Sequence, residues 1–345
     1  MTNDKEKMIQ TAKQIVDLLS KNHHIETTSV KVIPCATFIS YFLEVAKSDF
    51  RVMKVSEIEN DIALLTSAYG GSVRLTKNNK HLIIEVARED RGKIALSYCI
   101  EEYKKSGLKY ELPIALGLDN ENKPQFADLC RMGGILMAGT TGSGKSVFEN
   151  TIIMSLLQLT PRDKVQFFLI DIKRVELAIY RGLPQLFTNV LVDLKDIIPN
   201  LKLLLKEKNR RLNSNKTKES FPYIVVVVDT ISDLMYAHRE EFESLMVELA
   251  RDSSLSKIHI IMSDSRPQPE VFSDLFKKHF LTRIAGNNCT SLQSREILGV
   301  SGAEKLLGSG DLLFFPPDLC TPMRVQAPNV TEKEIGEMVK SLTIK

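Results

Sequence analysis

Apolar positions recur every three or four residues over 3–20, where Met8, Ile9, Ala12, Ile15, Val16 and Leu19 sit among charged neighbours. This spacing predicts an amphipathic helix docked on a core. A short strand is expected around 29–33. A second amphipathic helix is expected over 55–67, with Ser56 as its candidate cap. SVRLT (72–76) and HLIIEVA (81–87) read as a hairpin, joined by a turn at 77–80 that carries two asparagines. Residues 1–108 are thus expected to form a small α+β subdomain that starts with the amphipathic helix and ends in a linker at 104–108.

From about residue 112 the pattern changes, and a domain over 109–345 is expected. Near-continuous apolar runs alternate with helical stretches: GILMAG (134–139) and a helix over 145–159, VQFFLID (165–171) and a helical stretch, NVLVD (189–193) and a long helix to about 211. YIVVVVD (223–229), a helix near 240–251, IHIIMS (258–263), a helix near 270–278 and LTRIAG (281–286) complete the series, and a final amphipathic helix covers about 331–342. Apolar strands separated by helices suit a mainly parallel sheet covered on both faces, so the fold class is α/β.

Composition excludes more than it identifies. The 345 residues are 43% hydrophobic and 26% charged with a net charge of +3, ordinary for a soluble globular protein and too little charge to announce nucleic acid. Cys35, Cys99, Cys130, Cys289 and Cys320 are scattered, which argues against a zinc site or a disulfide framework. The charged start MTNDKEK is unlike a signal peptide, and no apolar run approaches the roughly 18 residues of a membrane span, so a cytoplasmic location is expected.

The candidate chemistry lies in Gly139-Thr140-Thr141-Gly142-Ser143-Gly144-Lys145-Ser146, which fits G-x-x-x-x-G-K-[ST] between a predicted strand and a predicted helix. Glycines let backbone N–H groups curl around phosphate oxygens, and the following helix turns its positive end toward them. Lys145 is expected to reach the β- and γ-phosphates of ATP and Ser146 to hold Mg²⁺. Asp229, at the tip of the valine-rich strand, is the natural second Mg²⁺ partner; an aspartate there can also cap the next helix. Ser265 follows the strand IHIIMSD, at a place suited to a sensor of the γ-phosphate.

These residues resemble the motor domain of FtsK/SpoIIIE-type DNA translocases. The resemblance rests on GGILMAGTTGSGKSVFEN (133–150), then in order on FFLIDIKRVELAIYRGLPQL (167–186), VVVVDTISDLM (225–235), KIHIIMSDSRP (257–267), LTRIAG, SREILG (294–299) and GAEKLLGSGDLLF (302–314). PIALGLDNENKPQFADL (113–129) resembles the strand pair leading into that domain, and similarity covers roughly residues 25–343. It implies a RecA-like P-loop ATPase that binds ATP and Mg²⁺. It also implies a ring, usually a hexamer, around double-stranded DNA, with nucleotide between neighbouring subunits. Arg283 and Arg295 are the candidates for an arginine offered to the neighbour's nucleotide, or for a surface ion pair.

The chain departs from the family pattern where chemistry happens. Family members carry Asp-Glu where Asp229-Thr230 stands, and the sensor glutamine of Thr-Gln-Arg-Pro becomes Ser265 within Asp264-Ser265-Arg266-Pro267. Loss of a general base typically costs about 10²–10⁴ in rate. The pattern therefore leaves open an active translocase with weak hydrolysis, a catalytically impaired nucleotide-binding subunit or scaffold (alone or in a mixed ring with an active paralogue), and an ATPase of a conjugative or secretion apparatus. Asp264 or Asp233 are possible replacements for the lost acid. A membrane-spanning N-terminal region and a C-terminal winged-helix module are not expected in this chain. DNA contacts would be electrostatic, through Arg210, Arg211 and Lys216 in the run Lys202–Lys218 or through Lys277 and Lys278. A solvated helix face explains the run equally well.

Overall fold

The structure is a computed structural model that describes residues 2–45, 54–68, 72–77, 81–214, 221–287 and 290–343. Lys216, Lys218, Cys289 and the turn residues 78–80 lie outside the described residues. The chain divides into two units, the first comprising Met1–Lys93, Leu118–Lys123 and Lys305–Leu307.

The first unit holds α1 (Thr2–His23), β1 (Thr27–Pro34), β2 (Phe38–Val45), α2 (Val55–Thr66), β3 (Val73–Lys77) and β4 (His81–Ala87). The strands form an antiparallel sheet in the order β1-β2-β4-β3. Ile15 and Leu19 of α1 and Ile58 and Ile62 of α2 are buried in one core with Tyr41, Leu43, Leu82 and Ile84 of the sheet. Burying each such side chain contributes roughly 1.5–3 kcal/mol. Strand β2 is an addition to the expected elements: FISYFLEV lies between β1 and β4, is apolar almost throughout, and so lacks the alternation that marks a half-buried strand. Helix α2 begins after Lys54 with no side-chain cap, so Ser56 sits inside its first turn and does not cap it.

The second unit begins with α3 (Leu96–Ser106), which Gly107 ends in a left-handed conformation. Strands β5 (Pro113–Leu118), β6 (Pro124–Asp128) and β7 (Ile135–Ala138) follow, then α4 (Lys145–Leu159), β8 (Val165–Asp171), α5 (Leu194–Leu212) and β9 (Tyr223–Asp229). Next come α6 (Ile231–Ala250), α7 (Ser253–Ser256), β10 (Ile258–Asp264), α8 (Asp274–His279), β11 (Thr282–Ala285) and α9 (Ser291–Leu298). Strands β12 (Asp311–Phe315) and β13 (Met323–Gln326) and helix α10 (Glu332–Thr343) close the unit. The sheet runs β6-β5-β13-β12-β11-β7-β10-β9-β8; the five strands from β11 to β8 are parallel, and β12 and β13 join them antiparallel.

The parallel core explains the continuous apolar runs, since Ile224 to Val228 and Ile258 to Met262 are buried on both faces. Several expectations shift. Segment 189–193 is not a ladder strand and meets β8 only through a bridge between Ile170 and Leu191. The stretch after β8 contains a single 3-10 turn, Ala178–Tyr180. Helix α6 starts at Ile231, well before 240, with a break at His238. Helix α8 begins only at Asp274. Two registers place the chemistry: Asp264 lies beside Ala138 and Ser263 beside Asp229. The carboxyl ends of β7, β9 and β10 therefore open on one crevice, where ligands of open α/β sheets bind.

Candidate nucleotide site

Strand β7 leads directly into the glycine loop, and local geometry demands its glycines. Gly142 (φ 82°) and Gly144 (φ 94°) occupy the left-handed region that side chains disfavour. A Cβ on Gly144 would stand 2.1 Å from the Gly310 backbone nitrogen, and one on Gly139 would stand 2.4 Å from Ser143 Oγ. Backbone bonds pin the loop from two sides. Thr140 N donates to Asn287 O (2.9 Å), while Ser309 N and Gly310 N donate to Gly142 O (2.8 Å) and Ser143 O (2.9 Å). Thr141 and Gly142 remain exposed and Ser146 half-buried, on the first turn of a helix whose unpaired N–H groups favour an anion. The loop, a lysine and two oxygen ligands in Ser146 and Asp229 fit a Mg²⁺-bound nucleoside triphosphate.

Lys145 is the hub of the site. Its Nζ lies 2.7 Å from Asp229 Oδ1, 3.3 Å from Ser263 Oγ and 3.4 Å from Glu149 Oε1. Ser263 Oγ also donates to Asp229 Oδ1 at 3.1 Å. Burial works against the Lys145 charge, but Glu149 and Asp229 outweigh it and hold the ammonium above its ordinary range. The Glu149 carboxyl is pushed up, first by burial and then by Asp229, against the pull of Lys145. The two directions are consistent, because one ammonium faces two buried carboxylates and cannot neutralise both.

Sequence reasoning pointed to Ser265, whereas Ser263 is the serine that touches Lys145 and Asp229. Aligning the ends of neighbouring parallel strands would have found it. Glu149 was missed although its spacing of four from Lys145 puts both on one helix face. Thr230 is buried and donates its hydroxyl to Asp233 Oδ2 at 3.3 Å. Asp264 accepts from Ser232 N (2.8 Å) at the start of α6 and from Arg266 N (3.0 Å) just after β10, so both its oxygens serve backbone N–H groups.

The candidate arginines differ. Arg283 turns inward and donates to the carbonyls of Phe280 and Lys277 at the end of α8, and burial lowers its pKa to about 10. Arg295 is exposed on α9. Among the candidate DNA contacts, the Arg211 guanidinium is buried against Pro222 O (2.8 Å), Ser256 O (3.0 Å) and Glu207 (2.8 Å). Arg210 pairs with Glu207, Lys277 pairs with Glu296, and Lys278 is exposed.

Fold and loop together define a RecA-like P-loop NTPase fold. The structure is similar to that of the pCW3 conjugation coupling protein TcpA in its monomer form with ATPγS, with a TM-score of 0.64 at 18% identity over 96% of this chain and 99% of that one. It is also similar to the cytoplasmic domain of the Thermomonospora curvata type VII secretion ATPase EccC, with a TM-score of 0.59 at 19% identity over 73% of this chain and 34% of that one. Identities this low speak for the fold alone.

Sequence narrows the class. The FtsK/SpoIIIE family model matches residues 100–217. DNA translocase FtsK of Caldanaerobacter subterraneus is 34% identical over 98% of this chain and 49% of its own length. DNA translocase SftA of Bacillus subtilis is 32% identical over 96% of this chain and 37% of its own length. The chain belongs to the FtsK/SpoIIIE family, and it spans about half the length, or less, of these curated relatives. Among the described residues, no helix is long and apolar enough to cross a membrane.

Proposed function

We propose that this chain is the motor module of a DNA translocase, binding ATP with Mg²⁺ and acting on double-stranded DNA as a cytoplasmic ring of subunits. The observation that carries the reading is the meeting of Lys145, Asp229 and the glycine loop at the carboxyl ends of β7, β9 and β10, in a chain of this family. The loop N–H groups and Lys145 hold the phosphates, and Ser146 and Asp229 hold the metal. Bound Mg²⁺ would neutralise charge on the phosphate oxygens. Arg295 is the better candidate for a neighbour's nucleotide, because Arg283 spends its donors on its own backbone.

A second reading is that the subunit binds ATP and hydrolyses it slowly. The Thr230 hydroxyl, where the family carries a glutamate, donates to Asp233 and cannot take a proton from water at neutral pH. Asp264 is occupied by backbone N–H groups and does not replace the acid. Steady-state ATP hydrolysis with and without linear duplex DNA separates the readings, using wild type, Lys145→Ala and Thr230→Glu. DNA-stimulated turnover that Lys145→Ala removes supports the motor. Background turnover despite ATP binding, raised by Thr230→Glu, supports the impaired subunit. No ATP binding by the wild type defeats both.

A further inference from the structure

Glu149 has no part in holding a phosphate or a metal, yet it is 1% exposed beneath the lysine that does. It lies one turn into α4, and its Oε1 is 3.4 Å from Lys145 Nζ. Its Oε2 is buried without a hydrogen-bond partner among the described residues. Asp229 and Glu176 add negative charge nearby. Helix stability does not account for the pair, since lysine preceding glutamate by four residues is the weaker orientation and the contact is buried. A buried carboxylate is costly unless paired, and Lys145 is the cation that pairs it.

We propose that Glu149 is a positioning residue that restrains Lys145, competing with the nucleotide's phosphates for its ammonium and lowering the affinity of the site. This rests on the nucleotide-site reading above. When Lys145 turns to a phosphate it must leave Glu149, and the carboxylate is then stranded in a buried site beside Asp229. Each nucleotide that binds therefore does so against the Lys145–Glu149 contact. Neutralising Glu149 removes the competitor and leaves the loop, Ser146 and Asp229 intact. Loss of one charge-assisted contact corresponds to a gain in affinity of roughly tenfold or more.

The test measures Mg·ATP binding by titration calorimetry for wild type, Glu149→Gln, Glu149→Met and Lys145→Ala, with urea unfolding to confirm that each is folded. Glutamine keeps the shape, and methionine replaces the buried charge with an apolar chain of similar length. Tighter binding by both Glu149 variants, roughly tenfold or more, with none by Lys145→Ala, supports the restraint. A purely structural role for Glu149 would not tighten binding. Unchanged or weaker binding by both, with wild type binding and Lys145→Ala not, overturns the restraint and leaves the nucleotide site standing. Absence of binding in wild type and both Glu149 variants overturns the site and the restraint together.

Discussion

Acid should weaken this protein through one histidine. His259, the second residue of β10, is 1% exposed, and neither ring nitrogen has a hydrogen-bond partner among the described residues. Its ring lies 5.8 Å from that of Tyr223. Burial pushes its pKa down to about 4, and the charge of Asp128 offsets only part of that. In an unfolded chain a histidine titrates near 6.5. Below that pH the unfolded state takes up a proton that the folded state refuses until about pH 4, so stability is complete above 6.5 and falls as pH drops through this window. Linkage gives a loss of about 2 kcal/mol at pH 5 and about 3 kcal/mol at pH 4. Urea unfolding of wild type and His259→Phe at pH 7.5, 6, 5 and 4.5 measures it. Phenylalanine keeps the aromatic contact and removes the two unpaired nitrogens, so the variant should be at least as stable at pH 7.5. Groups that titrate alike in both proteins cancel in the difference. Identical pH slopes for the two proteins would refute the argument.

Three further outcomes are expected. Gly144→Ala places a Cβ 2.1 Å from the Gly310 backbone, which no side-chain rotation relieves, so it should abolish ATP binding in calorimetry. Arg324 and Asp311 form a buried two-bond ion pair (2.8 and 2.7 Å), so Arg324→Ala should cost about 3–5 kcal/mol in urea unfolding by removing the cation from a buried carboxylate. Replacing both, as Arg324→Met with Asp311→Leu, should recover most of that loss. If DNA is bound through exposed charge, Lys278→Ala should lower the salt slope of duplex binding by about one, whereas Arg211→Ala should lower stability, its guanidinium being committed to Pro222 and Ser256 carbonyls. Unchanged slopes in Lys278→Ala would exclude that residue.

What was legible in the sequence follows physical lines. Strands β8 and β9 match their expected limits because apolar runs between polar ends have few other uses, and the glycine loop was legible because backbone geometry fixes its residue types. Strand β2 was hidden by the same physics, since a central strand without alternation carries no period. Segment 189–193 has strand composition, but it touches β8 only at the Ile170–Leu191 bridge. Direction of side chains was the least legible property. Nothing local distinguishes Arg283, turned onto the end of α8, from Arg295, turned to solvent. Only the tertiary path shows that Arg211 is a buried support for the chain around Pro222 and Ser256, and not a surface charge.

Charge placement connects the two unusual features of the site. By the family pattern a carboxylate is expected one residue beyond Asp229, where it would meet the attacking water; here Thr230 holds that position and its hydroxyl is tied to Asp233. A carboxylate stands instead at Glu149, under Lys145, where it contacts the phosphate-binding ammonium and no solvent. On the proposed reading the acid beneath Lys145 opposes binding, and the lack of one beside Asp229 opposes hydrolysis. The two act on separate steps, so they are separable by experiment: Glu149→Gln should alter the affinity for Mg·ATP without restoring turnover, and Thr230→Glu should alter turnover without altering affinity as much. If Glu149→Gln alone raised turnover at saturating ATP, the carboxylate would act on chemistry, and the assignment of Glu149 to binding would fail.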